Sequence, residues 1–257
     1  MPYVYSSGVS IHYHVEGDGP PLVLQHGLTS SLENWYAYGF VEELKKGYRL
    51  IIVDARGHGR SGKPHDPKDY DLKFRVNDVL AVMDDLGVSK AHYMGYSMGG
   101  RIGFGIVMHA LDRFYSLIIG GVSADTPNSD VPPQERIDLL RKGMARYVAD
   151  TEAKEGMIEA GRKKRLLDND PEALIAATTA PRGTSGIEEL LPRVNIPCLL
   201  YCGEIDGFFQ GAKEASQAIP NAVFAPLPGL DHGQTSRASE NVLPHVTAFL
   251  QNVTMKK

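Results

Sequence analysis

One serine, one aspartate and one histidine, far apart along this chain, can together do acyl-transfer chemistry. Ser97 lies in Gly95-Tyr96-Ser97-Met98-Gly99, after the apolar run Ala91-His92-Tyr93-Met94. The residues that follow, Arg101-Ile102-Gly103-Phe104-Gly105-Ile106-Val107-Met108, have helical spacing. A serine on a sharp strand-to-helix turn is held in a strained backbone, with its hydroxyl pointing away from the sheet. Glycines at 95 and 99 leave room for the crossing. The pentapeptide alone is a weak signal, because glycine supplies 27 of the 257 residues. Its weight comes from the strand–turn–helix setting.

A serine hydroxyl needs a base to take its proton, and the base needs an acid to orient it. In strand–turn–helix serine sites the partners follow in the order Ser, Asp or Glu, His. Asp206, in Gly203-Glu204-Ile205-Asp206-Gly207, falls just beyond one expected strand. His232, in Pro228-Gly229-Leu230-Asp231-His232-Gly233, falls just beyond the next. Ends of neighbouring parallel strands emerge on one edge, so both can reach Ser97. His232 is the only one of nine histidines on a loop after the final strand. His12 and His14 lie in an opening hairpin, His92 in mid-strand and His245 in the last helix, while His65 and His109 read as surface or structural. For the acid, Asp206 competes with Glu204, Asp231 and Asp125. Asp231 adjoins the base and should diverge from it, and Asp125, after an earlier strand, is the main rival. Donors for an oxyanion are expected from the Met98 amide, at a helix start, and the Leu28 amide in His26-Gly27-Leu28-Thr29-Ser30. Gly27 is expected to let the backbone approach closely, and His26 to buttress the loop.

The elements that must hold these residues alternate. Tyr3-Val4-Tyr5 and Val9 to Val15 form a hairpin pattern with period two. Short apolar runs follow at Leu22-Val23-Leu24, Leu50 to Val53, Ala91 to Met94, Leu117-Ile118-Ile119, Cys198 to Tyr201 and Ala222 to Ala225. Such runs belong in a parallel sheet covered on both faces. Helical patterns at Glu33 to Lys46, Phe74 to Leu86, Ser97 to Ala110 and Ala212 to Ile219 separate them. A last helix spans about Ala238 to Gln251, with Pro244 bending it or lying in its first turn. The pattern predicts a doubly wound α/β domain. Between 124 and 191 the alternation stops. A turn-rich entry from Asp125 to Pro133 precedes three expected helices, Gln134 to Asp150, Glu152 to Leu167 and Pro171 to Thr179. The segment is expected to lie as an insertion over the carboxyl edge of the sheet, with Arg162-Lys163-Lys164-Arg165 as a solvated helix face.

Composition narrows the function. The hydrophobic fraction is 42%, the charged fraction 23% and the net charge −4. These are ordinary globular values with no electrostatic case for nucleic acid or an anionic membrane. Apolar runs fall far short of the ~18–20 residues of a membrane span, and the N-terminus has no signal-peptide pattern. Cys198 and Cys202, four apart in a strand, would lie about 13 Å apart. That is beyond the ~7 Å a disulfide tolerates. Buried free thiols fit a reducing cytoplasm.

With these pieces in place the chain resembles the α/β-hydrolase fold superfamily over nearly its whole length. The resemblance rests on His26-Gly27, Asp54-Ala55-Arg56-Gly57-His58-Gly59-Arg60-Ser61, Gly95 to Gly100, Gly203-Glu204-Ile205-Asp206 and Asp231-His232. It implies an eight-stranded, mostly parallel sheet flanked by helices, with a small helical cap after strand 6. The core would comprise residues 1–123 and 192–257, and the cap 124–191. It implies no cofactor and a structural turn in which Asp54 and Arg56 form a buttressing ion pair. Dehalogenase and epoxide hydrolase branches carry an attacking aspartate where this chain has Ser97, which argues against both. The single glycine of His26-Gly27-Leu28 resembles the esterase type. The chain departs from the common pattern after Asp206, with Gly207-Phe208-Phe209-Gln210 where many relatives have a proline.

The expectation is a cytoplasmic serine hydrolase, a carboxylesterase on small to medium acyl esters, as monomer or homodimer. Ser97 would attack, His232 act as base and Asp206 orient it. Phe208, Phe209, Met144, Tyr147 and Val148 are candidate pocket residues, with Met157 and Ile158 further cap candidates. An enol-lactonase-like lactonase or a carbon–carbon bond hydrolase would use the same machinery, and a ligand receptor keeping the triad is a rival of another class. No metal site is expected.

Overall fold

The computed structural model describes residues 2–124 and 133–254. Asp125 and the rest of the turn-rich entry up to residue 132 lie outside the described residues.

Eight strands form one sheet in the order β1-β2-β4-β3-β5-β6-β7-β8. They are β1 (Tyr3–Ser6), β2 (Val9–Glu16), β3 (Pro21–Gln25), β4 (Arg49–Val53), β5 (Ala91–Tyr96), β6 (Phe114–Gly120), β7 (Cys198–Gly203) and β8 (Ala222–Leu227). The β1–β2 and β2–β4 pairs are antiparallel and every later pair is parallel. Strand residues alternate between two apolar layers. Val23, Ile51, Tyr93 and Leu200 pack under α3 (Leu72–Asp85) and α4 (Met98–His109). Leu24, Ile52, Met94 and Leu199 pack against α1 (Glu33–Ala37), α2 (Phe40–Leu44) and α11 (Ser239–Thr254). Apolar cover on both faces explains the unbroken apolar runs of the central strands, such as Leu50 to Val53 and Leu117 to Ile119. Cys198 and Cys202 are both free and buried.

Helix boundaries differ from the periodic pattern in three places. The 33–46 stretch is two helices, broken at Tyr38 and Gly39. Among the described residues, the stretch after β6 holds four α-helices rather than three: α5 (Gln134–Arg141), α6 (Met144–Glu155), α7 (Ala160–Leu167) and α8 (Pro171–Thr179). Gly143, at φ 86°, adds a break inside the first expected helix, and Gly156, at φ 83°, makes the break that was expected at residue 151, because an apolar stripe can stay in phase across a left-handed residue that ends the helix. Pro244 lies inside α11, which continues through it. The short α10 (His232–Thr235) and α9 (Phe209–Ala218) complete the set.

The expected Asp54–Arg56 pair does not form. Arg56 instead makes a bidentate pair with Asp78 of α3, at 2.7 and 2.6 Å. Asp54 bonds His12 Nδ1 at 2.8 Å and accepts the amides of Leu32 at 2.8 Å and Arg60 at 3.0 Å. Burial opposes its charge, but His12, His26 and those amides outweigh it, so the carboxyl is held low. Spacing was a poor guide here, because the chain turns after β4 and strand alternation no longer sets where Asp54 and Arg56 point.

His58 is fully buried. Its Nδ1 donates to the Arg56 carbonyl at 3.0 Å, while Nε2 has no partner. Burial, then the nearby His26, pushes it down to about 3 from 6.5. Between those values the unfolded chain binds the proton and the folded chain does not, so stability falls as pH drops. The slope is about 1.4 kcal/mol per pH unit. Denaturant unfolding at pH 6.5 and 5 should show a loss of about 2 kcal/mol from this group, and His58→Asn should remove that part of the loss.

Candidate active site

The turn at the end of β5 is built by sterics. Ser97 has φ 54° and ψ −108°, a left-handed backbone rare for a side-chain-bearing residue. Its amide donates to the Gly120 carbonyl at 2.8 Å, and its own carbonyl accepts from Arg101 at 2.9 Å, the first turn of α4. A Cβ at Gly95 would collide with the Gly99 carbonyl, and one at Gly99 with the Gln25 carbonyl. Gly27 is different: an added Cβ would stand 3.4 Å from Ser97 Cβ, so glycine is no strict need there.

Asp206 follows β7 and His232 follows β8, two strands that run parallel to β5. The structure brings all three side chains together. His232 Nε2 stands 2.9 Å from Ser97 Oγ, and His232 Nδ1 stands 2.7 Å from Asp206 Oδ2. Asp206 Oδ1 accepts the Phe208 amide at 3.0 Å. The carboxylate is buried, while the imidazole is 39% exposed, open to an incoming molecule. Asp231 points away and caps α10, accepting the Gln234 amide at 2.7 Å, while Gln234 returns a bond to the Asp231 amide. That reciprocal cap fixes the helix on which His232 is the first residue. Glu204 is exposed and its amide bonds Leu227.

Tyr96, Cys202 and His12, which the sequence did not single out for this role, also support the site. Tyr96 donates its hydroxyl to the His232 carbonyl at 2.6 Å. The Cys202 thiol bonds Asp206, and burial, then that negative charge, pushes it up, so it stays a neutral donor. His12 holds Asp54, and Asp54 holds the Leu32 end of the loop carrying Leu28. His26 donates to the Gly27 carbonyl at 2.8 Å and accepts the Ala55 amide at 3.1 Å, as a buttress should. Leu28 and Met98 both border the space above Ser97.

Two cavities open on Ser97 and His232. The larger, about 520 Å³, is within the range of small-molecule sites. The smaller, about 280 Å³, lies toward Thr29, Tyr147 and Arg162. Of the candidate pocket residues, Phe208 lines the larger cavity and Tyr147 the smaller. The others do not line either. Phe209 begins α9 and packs on Phe224, with ring centroids 5.5 Å apart. Met144 is buried against Leu140 and Leu174, and Val148 against Ile158 and Leu166. Met157 is 95% exposed. Helical periodicity marked side chains that bury between helices, and those are spoken for by the helices themselves. The basic run is also only partly solvated. Arg162 pairs with Glu155 at 2.7 and 3.0 Å, and Arg165 lies over the Tyr38 ring. Among the described residues no group of three or more His, Cys, Asp or Glu could hold a metal ion. No described helix is long and apolar enough to cross a membrane.

A strained serine at a strand–helix turn, on the carboxyl edge of a mostly parallel sheet, defines a class, and the comparison with known sequences agrees. A sequence model of the α/β hydrolase fold matches residues 20–173, and the chain belongs to that family. A Bacillus subtilis protein provisionally named 2-succinyl-6-hydroxy-2,4-cyclohexadiene-1-carboxylate synthase is 28% identical over 86% of this chain and 88% of its own. A bifunctional esterase/perhydrolase of Acinetobacter calcoaceticus is 27% identical over 98% of this chain and all of its own. The crystal structure of the enol-lactonase from Burkholderia xenovorans superposes with TM-score 0.82 at 25% identity, covering 97% of this chain and all of that one. The chain is an α/β hydrolase, and its relatives differ in the bond they act on.

Proposed function

We propose that this protein is a serine hydrolase of the carboxylesterase type, cleaving esters of small to medium acyl chain. The observation that carries the reading is the unbroken line from Asp206 through His232 to Ser97, at 2.7 and 2.9 Å. Ser97 Oγ attacks the ester carbonyl while His232 Nε2 takes its proton. The carbonyl oxygen becomes an oxyanion, held by the Leu28 and Met98 amides. As the tetrahedral intermediate collapses, the C–O bond to the alcohol breaks and His232 returns its proton to the departing oxygen. Water, deprotonated by His232, then releases the acid from Ser97. Asp206 keeps the proton of the neutral imidazole on Nδ1 and stabilises the charged form.

A second reading on the same side chains, lactone opening, is favoured by the likeness to the enol-lactonase. Steady-state rates on p-nitrophenyl acetate through decanoate, beside lactones and vinylogous diketones, test both. The ester reading expects the highest kcat/KM on a short or medium ester. A lactone or diketone turned over at least tenfold faster than every ester, a gap of about 1.4 kcal/mol, would replace it.

A further inference from the structure

The larger cavity carries a feature that attack on a plain ester does not use. Arginines from four places line it: Arg75 on α3, Arg101 on α4, Arg136 on α5 and Arg182 after α8. Among the described residues the one carboxylate in the lining is Asp206, already bonded to His232. Among the described residues no carboxylate lies within 4.0 Å of the guanidinium of Arg75, Arg101 or Arg136.

Arg75 is held in place by backbone carbonyls. Arg75 donates through Nε to the Tyr70 carbonyl at 2.8 Å and through Nη2 to the Ala177 carbonyl at 3.0 Å. Neutral acceptors orient the fork without cancelling its charge. Arg101 leaves α4 one turn after Ser97, on the same helix face. Burial, then Arg182, Arg75 and Arg136, pushes it down to about 9. Thr178 Oγ1, on the same wall, is buried with no hydrogen-bond partner. Like charges gathered in a half-buried pocket repel one another, and a buried hydroxyl without a partner is unfavourable. An anion in the cavity relieves both.

We infer that the substrate carries a carboxylate, seated on Arg101 with Arg75 and Arg136 beside it, one helical turn from the carbonyl presented to Ser97. The planar guanidinium fork matches a carboxylate with two parallel bonds. The preferred substrates are thus monoesters of short dicarboxylic acids rather than neutral fatty esters. This deepens the esterase reading and rests on it for the turnover arm of its test.

That arm compares kcat/KM for monoethyl glutarate with that for ethyl pentanoate, its neutral counterpart, by titrating released acid. The ratio should exceed about 10 in the natural protein and fall at least about 10-fold in Arg101→Gln. Arg101→Lys, which keeps the charge and loses the fork, should fall between. Should Arg101→Gln not fold, Arg136→Gln, at an exposed position of α5, serves in its place. A ratio near one, or one that Arg101→Gln leaves unchanged, overturns the inference even if esters are cleaved briskly. The second arm does not need turnover. Glutarate should raise the Tm of the natural protein, pentane-1,5-diol should not, and Arg101→Gln should abolish the rise. An equal response to acid and diol overturns the anion site. A glutarate response without ester turnover keeps the anion site and sinks the esterase reading instead.

Discussion

Ser97→Ala should fold to a protein of nearly unchanged Tm and cleave p-nitrophenyl butyrate at least about 10³-fold more slowly. The substitution removes one oxygen from an otherwise intact site. The replacement alanine keeps a Cβ, so the strained backbone at φ 54° is neither relieved nor worsened. The lost bond is to a partly exposed imidazole, which water can satisfy, so stability should change by less than about 1 kcal/mol. Catalysis has no such substitute. Without Oγ no acyl-enzyme forms, and only the oxyanion donors and binding act on water attack. Steady-state kinetics beside a thermal melt check the split. A variant retaining a tenth of the natural rate would show that Ser97 is not the nucleophile.

Asp206→Asn should cost about 10³–10⁴-fold in kcat/KM while leaving the fold intact. The carboxylate accepts on both oxygens: Oδ1 from the Phe208 amide at 3.0 Å, Oδ2 from His232 Nδ1 at 2.7 Å. An asparagine has only one oxygen. The Phe208 amide is a fixed donor and claims it, which turns the NH₂ group toward His232. The imidazole must then accept at Nδ1 and carry its proton on Nε2. A protonated Nε2 faces Ser97 and cannot take the serine proton. The loss should appear in kcat, with the charged intermediate also losing its counter-ion. A loss below tenfold would mean that Asp206 neither sets the tautomer nor stabilises the imidazolium.

The same two kinds of information, local and long-range, decided what could be read along the chain. Ser97, Asp206 and His232 stood out because each follows the end of a strand in a parallel sheet, and strand order alone then places them on one rim. Chain breaks at Gly143 and Gly156 were hidden, because the apolar stripe continues across them. The pocket was hidden for a related reason. Met144 and Val148 have the spacing of buried residues, but spacing cannot tell burial against a neighbouring helix from burial against a ligand. His12 is remote in sequence from the chemistry, yet pairing of β2 with β4 sets it against Asp54 at 2.8 Å.

What the sequence determined by itself was the sheet, its parallel character, the strained turn at Ser97 and the chain order of Ser97, Asp206 and His232. Those follow from periodicity, glycine placement and the fixed exit side of parallel strands. What only the tertiary structure decided was the meeting of Arg75, Arg101, Arg136 and Arg182 around one cavity. No local rule links a residue of α3 to one after α8. Their charges face one space only once folding has brought those elements together.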